Sequence, residues 1–107
     1  MAQSEIIELL LSYIRLLNEA GLGIQKAFLY GSFARNEGNA ESDIDVMIVS
    51  KRFDGESLDE KAKAWQLTRK VDARIEPFSV GLKRFFADDD SALLAQVRKE
   101  GIEISVF

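Results

Sequence analysis

The sequence has no cysteine and no histidine, and it has a single proline. A Ser-His-Asp triad needs imidazole and a thiolate nucleophile needs cysteine, so both kinds of catalysis are excluded. A structural zinc site of the usual cysteine and histidine type is excluded for the same reason, and no disulfide can form. The chemistry left to the 107-residue chain is that of carboxylates, hydroxyls, lysine, arginine and backbone amides.

Positive charge and long apolar runs are also scarce. Lys and Arg number 14 against 18 Asp and Glu, a net charge of -4, so we expect no binding to duplex nucleic acid, which needs clustered positive charge. No uninterrupted apolar run exceeds four residues, so no membrane-spanning helix is expected. The segment Met1–Glu5 lacks the basic region of a signal peptide. We therefore expect a cytoplasmic protein with a single domain over residues 1–107.

Hydrophobic periodicity predicts an alternation of helices and strands. In the first half of the chain we expect a helix capped by Ser4 and ended by Gly21, a strand over 24–30 and a strand over 43–49. A helix follows from Ser57 to about residue 70, with the apolar residues Leu58, Ala62 and Trp65 on one face. The rest of the chain predicts a strand over 71–80, a helix around 93–97 ended by Gly101, and a strand over 102–106. The pattern predicts an α+β fold, an α/β two-layer arrangement with a mixed sheet of about four strands packed with helices.

Polar residues gather where the first two strands meet. Gly31-Ser32 ends the first strand, and Asp43-Ile44-Asp45 starts the second after ten intervening residues. Side chains alternate along a strand, so Asp43 and Asp45 point the same way with backbones about 7 Å apart. Two such carboxylates suit Mg²⁺, which fills its remaining positions with water and substrate phosphates. Gly31 lets a phosphate approach the main chain, and the amides at Ser32 can hold it.

The segment Leu29-Tyr30-Gly31-Ser32-Phe33-Ala34-Arg35, followed at this spacing by Ser42-Asp43-Ile44-Asp45-Val46, resembles the signature of the minimal nucleotidyltransferases of the DNA polymerase β superfamily. The resemblance covers most of the chain. It implies a polymerase-β-like nucleotidyltransferase core that uses two Mg²⁺ ions and ATP or another NTP. It also implies transfer of a nucleoside monophosphate, AMP from ATP, to an acceptor hydroxyl, with Asp43 and Asp45 as metal ligands and Gly31 and Ser32 as nucleotide-binding residues.

The resemblance also implies a third carboxylate on a neighbouring strand, and two residues compete for that role. Asp72 follows Val71, as is usual in the family, whereas Glu76 has the better spacing to Gly101. Pro77 additionally holds Glu76 in an extended backbone. We therefore prefer Glu76 as the third catalytic and metal-binding carboxylate, with Asp72 as the alternative. Arg35 can contact phosphate or can serve as an ion-pair partner.

The predicted core uses nearly the entire chain, which leaves the acceptor to a partner. The resemblance to the antitoxins of HEPN/MNT toxin-antitoxin pairs implies that this partner is a helical HEPN toxin, modified by adenylylation. The alternative is a non-catalytic module that binds a nucleotide or a protein. The sequence does not decide between a monomer and a homo-oligomer. The aromatic residues Trp65, Phe85 and Phe86 are interpreted as core or interface residues.

Overall fold

The computed structural model describes residues 2–55 and 57–106. Four helices and four strands are assigned within these residues, and a short 3-10 turn at Lys51–Phe53 follows the second strand. The elements are α1 (Gln3–Glu19), β1 (Lys26–Tyr30), β2 (Ile44–Ser50), α2 (Leu58–Thr68), β3 (Ile75–Gly81), α3 (Leu82–Ala87), α4 (Ala92–Glu100) and β4 (Ile102–Ile104). None of the helices described is long and apolar enough to cross a bilayer.

The strands form one mixed sheet in the order β3-β2-β1-β4. Strand β1 runs antiparallel to both β2 and β4, whereas β2 and β3 are parallel. A parallel pair needs a long crossover, and here α2 supplies it. The α+β class and the mixed four-stranded sheet predicted from the sequence are confirmed.

One face of the sheet is covered by α1 and α2. The buried residues of α1 recur at the spacing of a single helical face and are Ile6, Leu10, Tyr13, Ile14 and Leu17. They pack against inward side chains of the strands, such as Leu29, Val46 and Ile75, in one continuous core. The Tyr13 hydroxyl donates a hydrogen bond of 2.6 Å to the Ala64 carbonyl and so ties α1 to α2.

The opposite face of the sheet has its own, smaller apolar cluster. Its buried members come from alternate strand positions and from α4, and they are Tyr30, Met47, Val49, Val80, Leu94 and Val97. Phe85 of α3 stacks on Phe28 with ring centroids 5.5 Å apart. Helices therefore lie on both faces, so the two-layer expectation describes only the α1/α2 side.

Helix α2 does not pack on the core through the apolar face that the sequence indicates. Leu58 is 81% exposed and Trp65 is 50% exposed, whereas the buried residues are Ala64 and Thr68. The spacing of Leu58 and Trp65 correctly places them on one stripe, but it cannot say which way that stripe points. The small side chains of Ala64 and Thr68 let the helix lie close to its neighbours. Of the two interpretations of Trp65 and Phe86, as core or as interface residues, the core one is wrong, because Phe86 is likewise 66% exposed; their role in an interface stays a prediction.

The ends of α1 and α2 differ in detail from the sequence prediction. Helix α1 begins at Gln3 with Ala2 at the N-cap position, so Ser4 lies inside the first turn and does not cap the helix. Gly21 adopts a φ of 88° just past the end of α1, as expected of a left-handed terminating glycine. At the start of α2, the Ser57 hydroxyl donates to the Phe53 carbonyl at 3.0 Å instead of capping the helix.

The third strand is shorter than predicted. It begins at Ile75, not at Val71, because the chain continues to turn after α2. The amides of Val71 and Asp72 both donate to the Thr68 carbonyl, at 3.0 and 2.8 Å. Asp72 consequently precedes the sheet, and only Glu76 lies on β3. The short helix α3, directly after β3, was not predicted.

Candidate active site

The candidate site lies at one edge of the sheet, where β1 ends and β2 and β3 begin. Because β1 is antiparallel to β2 and β2 is parallel to β3, these three strand ends meet. Tyr30 is in register with Asp45, and Asp45 is in register with Glu76. The three side chains therefore form a row across neighbouring strands on the face that carries α3 and α4.

Three carboxylates gather at this edge with unequal exposure. Asp43 precedes β2 and is exposed, Glu76 on β3 is exposed, and Asp45 between them is half-buried. Burial, followed by the negative charges of Glu76 and Asp43, raises the pKa of Asp45 from 3.8 to about 6. Burial, the charge of Asp43 and a hydrogen bond with Asp43 also raise the pKa of Glu76. Negative charge is therefore concentrated at this edge of the sheet, and a bound cation would offset the repulsion between the carboxylates.

Tyr30, on β1, is the third member of this row of side chains. Its pKa rises to about 12, mainly through burial and then through the charges of Asp45 and Glu76. The tyrosine therefore stays neutral and can donate a hydrogen bond but cannot add negative charge at ordinary pH. Tyr30 belongs to the signature segment, but the sequence predicts no role for it in the site; its position directly before Gly31 was the available signal.

Gly31 is required where it stands for two independent reasons. Its φ is 77°, a left-handed conformation that costs residues with a Cβ. In addition, a Cβ at this position would overlap the carboxylate of Asp45. The chain then turns tightly, since the Arg35 amide donates to the Gly31 and Ser32 carbonyls at 3.3 and 3.2 Å. Residues 32–36 thus form a hydrogen-bonded turn.

A cleft of about 500 Å³ opens beside this turn. Its volume lies within the range of small-molecule sites. The lining residues are Tyr30, Gly31, Ser32, Arg35, Glu41, Ser42, Asp43, Asp45 and Gln96. The structure thus gathers the predicted residues Gly31, Ser32, Asp43 and Asp45 around one space. It adds Gln96 from α4, which nothing in the sequence near the motif could indicate.

Arg35 reaches this cleft but is already paired. Its guanidinium contacts Glu37 at 3.1 Å and Glu100 at 3.0 Å. Glu100, the last residue of α4, also accepts a 2.7 Å hydrogen bond from Gln96. The hydrogen bond from Gln96, the charge of Arg35 and the backbone amide of Gly31 lower the pKa of Glu100. Arg35 is therefore an ion-pair partner that also lines the cleft, and Glu100 was missed by sequence reasoning.

Asp72 has a different environment from Glu76. Its carboxylate accepts hydrogen bonds from the Arg74 guanidinium at 2.8 and 3.1 Å, and these bonds are the main reason for its lowered pKa. It lies four residues before Glu76, in the turn that precedes β3. The structure therefore places Glu76, and not Asp72, beside Asp45.

The residues fit Mg²⁺ as a partial ligand set. The donors are all carboxylate oxygens, and the raised pKa of Asp45 reflects a site where added positive charge is favourable. Within residues 2–55 and 57–106, no three acidic side chains form a group that could hold a metal ion as they stand. Mg²⁺ commonly takes only one or two carboxylates and completes its shell with phosphates and water. Asp43 and Asp45 could supply that smaller set.

Comparison with known proteins agrees with this geometry. The family model described as "Nucleotidyltransferase domain" matches residues 10–93, which include β1, β2, β3 and the carboxylates Asp43, Asp45, Asp72 and Glu76. The chain therefore belongs to the nucleotidyltransferase domain family, as the resemblance of its motif indicated. A search of curated proteins finds no significant match.

A solved structure shares the fold. The crystal structure of a candidate nucleotidyltransferase from Sulfolobus solfataricus aligns with a TM-score of 0.64 and 15% sequence identity. The alignment covers 94% of this chain and 80% of that chain. At this identity the likeness concerns the fold, and it confirms the α+β nucleotidyltransferase architecture expected from the sequence.

Proposed function

We propose that the cleft binds an NTP together with Mg²⁺ and transfers its nucleoside monophosphate, AMP from ATP, to a hydroxyl group of a partner protein. The observation that carries the proposal is the register of β1, β2 and β3, which sets Asp45 between Tyr30 and Glu76. Asp43 and the Gly31-Ser32 turn line the same cleft. Membership of the nucleotidyltransferase domain family supports nucleotidyl transfer in general.

Each residue has a distinct part in this proposal. Asp43 and Asp45 would hold Mg²⁺, with Glu76 as a further ligand for a second ion, and the backbone at Gly31 and Ser32 would bind the phosphates. When bound, Mg²⁺ would neutralise charge on the attacking and leaving oxygens. The acceptor oxygen forms a bond to the α-phosphorus, the bond to the β-phosphate oxygen breaks, and pyrophosphate leaves. Glu76 accepts the proton of the acceptor hydroxyl, so no histidine base is needed.

A protein acceptor is proposed on two grounds. The described helices and strands all belong to the sheet and its covering layers, so an acceptor-binding lobe is not among them. The sequence resemblance to HEPN/MNT antitoxins supports a helical HEPN toxin as the partner and adenylylation as the modification. The protein would then act as an antitoxin in the cytoplasm.

Incubation of the purified protein and its partner with α-labelled ATP and Mg²⁺ tests the proposal. We expect label on the partner, and no label with the Asp43→Asn/Asp45→Asn variant or with EDTA. The matched control is Asp89→Asn, which removes an exposed loop carboxylate and should label normally. Equal labelling by the double variant would refute the metal site. Tight binding of the partner without any labelling would favour the alternative, a non-catalytic antitoxin module.

A further inference from the structure

The cleft has little positive charge for a ligand that carries several negative charges. Among the residues that line it in the described part of the chain, Arg35 is the one cationic side chain, whereas Glu41, Asp43 and Asp45 are acidic. Glu37 and Glu100 both pair with Arg35. An incoming triphosphate therefore meets an arginine whose charge is already compensated.

Glu100 is the more embedded of the two carboxylates on Arg35. Its side chain is 24% exposed, compared with 61% for Glu37. Besides Arg35, it accepts a hydrogen bond from Gln96 at 2.7 Å. A carboxylate that accepts from both a guanidinium and an amide side chain is bound as an oxyanion ligand would be.

These donors are the ones that a phosphate group would use. Gly31 and Arg35 are nucleotide-binding candidates from the sequence, and Gln96 lines the same cleft. A phosphate that binds Arg35 must approach the guanidinium nitrogen that Glu100 already contacts at 3.0 Å, and the two anions would repel each other there. Occupation by one anion therefore opposes occupation by the other.

We propose that Glu100 is an internal competitor of the nucleotide phosphates, which holds Arg35 until a triphosphate displaces it. The inference rests on the proposed function, because it takes the cleft to be a nucleotide site. Glu100 then sets the affinity for the triphosphate by acting through Arg35.

A neutral variant of Glu100 distinguishes competition from structural support. Glu100→Gln keeps the shape and a hydrogen-bond acceptor but removes the charge that competes for Arg35. Isothermal titration calorimetry with Mg²⁺ and the non-cleavable α,β-methylene-ATP should show about two- to fivefold tighter binding than in the wild type, the range expected for one partly exposed charge pair. Inorganic tripolyphosphate should gain by a similar factor, and adenosine should not.

Two matched variants separate the effect of the position of Glu100 from the general effect of removing one negative charge. Glu37→Gln removes the other carboxylate on Arg35. Glu103→Gln removes a carboxylate on β4, which pairs with Lys26 at 3.6 Å. Both should change affinity by less than Glu100→Gln. Equal tightening in Glu103→Gln would reduce the effect to net charge and overturn the proposal, and so would unchanged or weaker binding in a folded Glu100→Gln protein.

A measurement on the wild type does not depend on the variant folding. Titration of isotope-labelled protein with tripolyphosphate and Mg²⁺ should shift the NMR signals of the Gly31 amide and the Glu100 side-chain carboxylate together. A Glu100 signal that stays constant while Gly31 shifts would overturn the proposal. Failure of the wild type to bind either triphosphate probe would instead refute the proposed function.

Discussion

Replacing Asp45 by Asn should stabilise the metal-free protein while it removes a proposed catalytic group. The carboxylate is half-buried on β2, in register with Glu76 and close to Asp43. Burial and these two charges raise its pKa from 3.8 to about 6, against a smaller opposing effect of Arg35. Holding this group ionised at neutral pH therefore costs folding free energy, and a neutral amide of the same shape escapes that cost.

The size of the effect follows from the pKa difference. A shift from 3.8 to about 6 corresponds to about 3 kcal/mol if it is converted in full. Asp45 keeps part of its surface in water, so screening reduces the expected gain to about 1–2 kcal/mol. A domain of this size gains about 4–8 °C in melting temperature per kcal/mol. The Asp45→Asn variant should thus melt at least about 4 °C above the wild type near pH 7.

The effect must also depend on pH with a definite sign. The folded protein holds the Asp45 proton more tightly than the unfolded chain does, so between about pH 4 and 6 it binds more protons. The free energy of unfolding contributed by this group therefore falls as pH rises. The penalty is complete above about pH 6 and absent below about pH 4, so the advantage of Asp45→Asn should vanish in acid.

Urea denaturation, followed through the single tryptophan and by circular dichroism, measures this difference. Both proteins are unfolded in EDTA at several values between pH 4 and 8, with Asp89→Asn as the matched surface control. Subtracting the two curves removes the contributions of titrating groups that lie far from Asp45, which the two proteins share. If the gain at pH 7 is absent, or if it has the same size at pH 4, the electrostatic account of the site is wrong.

Three further outcomes follow from the same structure. In urea unfolding, Gly31→Ala should destabilise the protein by more than Gly55→Ala. Both glycines have positive φ, 77° and 72°, but only at Gly31 would the new Cβ overlap Asp45. Equal losses of unfolding free energy in the two variants would contradict this overlap. The double substitution Leu58→Lys/Trp65→Lys should change the free energy of unfolding by less than about 1 kcal/mol, because both side chains are exposed. Urea denaturation followed by circular dichroism measures this change. A loss above about 2 kcal/mol would show that the two side chains belong to the core. Addition of Mg²⁺ should raise the melting temperature of the wild type, since a ligand of the folded state stabilises it, and should not raise that of Asp45→Asn; equal shifts would place the ion elsewhere.

Local patterns in the sequence were sufficient for the parts of the fold that depend on near neighbours. The spacing of Leu10, Ile14 and Leu17 predicts the buried face of α1, which is confirmed. Gly31 ends β1 and Gly101 ends α4 as expected. The orientation of α2 could not be obtained this way, because Leu58 and Trp65 define a stripe as good as that of Ala64 and Thr68. Tertiary contacts with the sheet decide between the two stripes.

The third carboxylate shows why the candidate site itself could be predicted only in part. Asp43 and Asp45 lie on one segment, so strand alternation alone gives their relation. Glu76 comes to Asp45 through the parallel register of β2 and β3, which is fixed by the path of α2 and the turn at 69–74. A one-residue change in register would turn the opposite face of β3 toward the site. Glu100 depends on a still longer connection, because α4 must pack across β1 before its last residue can reach Gly31 and Arg35. Asp43 and Asp45 can therefore be predicted from the sequence. The positions of Glu76 and Glu100 depend on how distant elements pack, so local patterns do not give them.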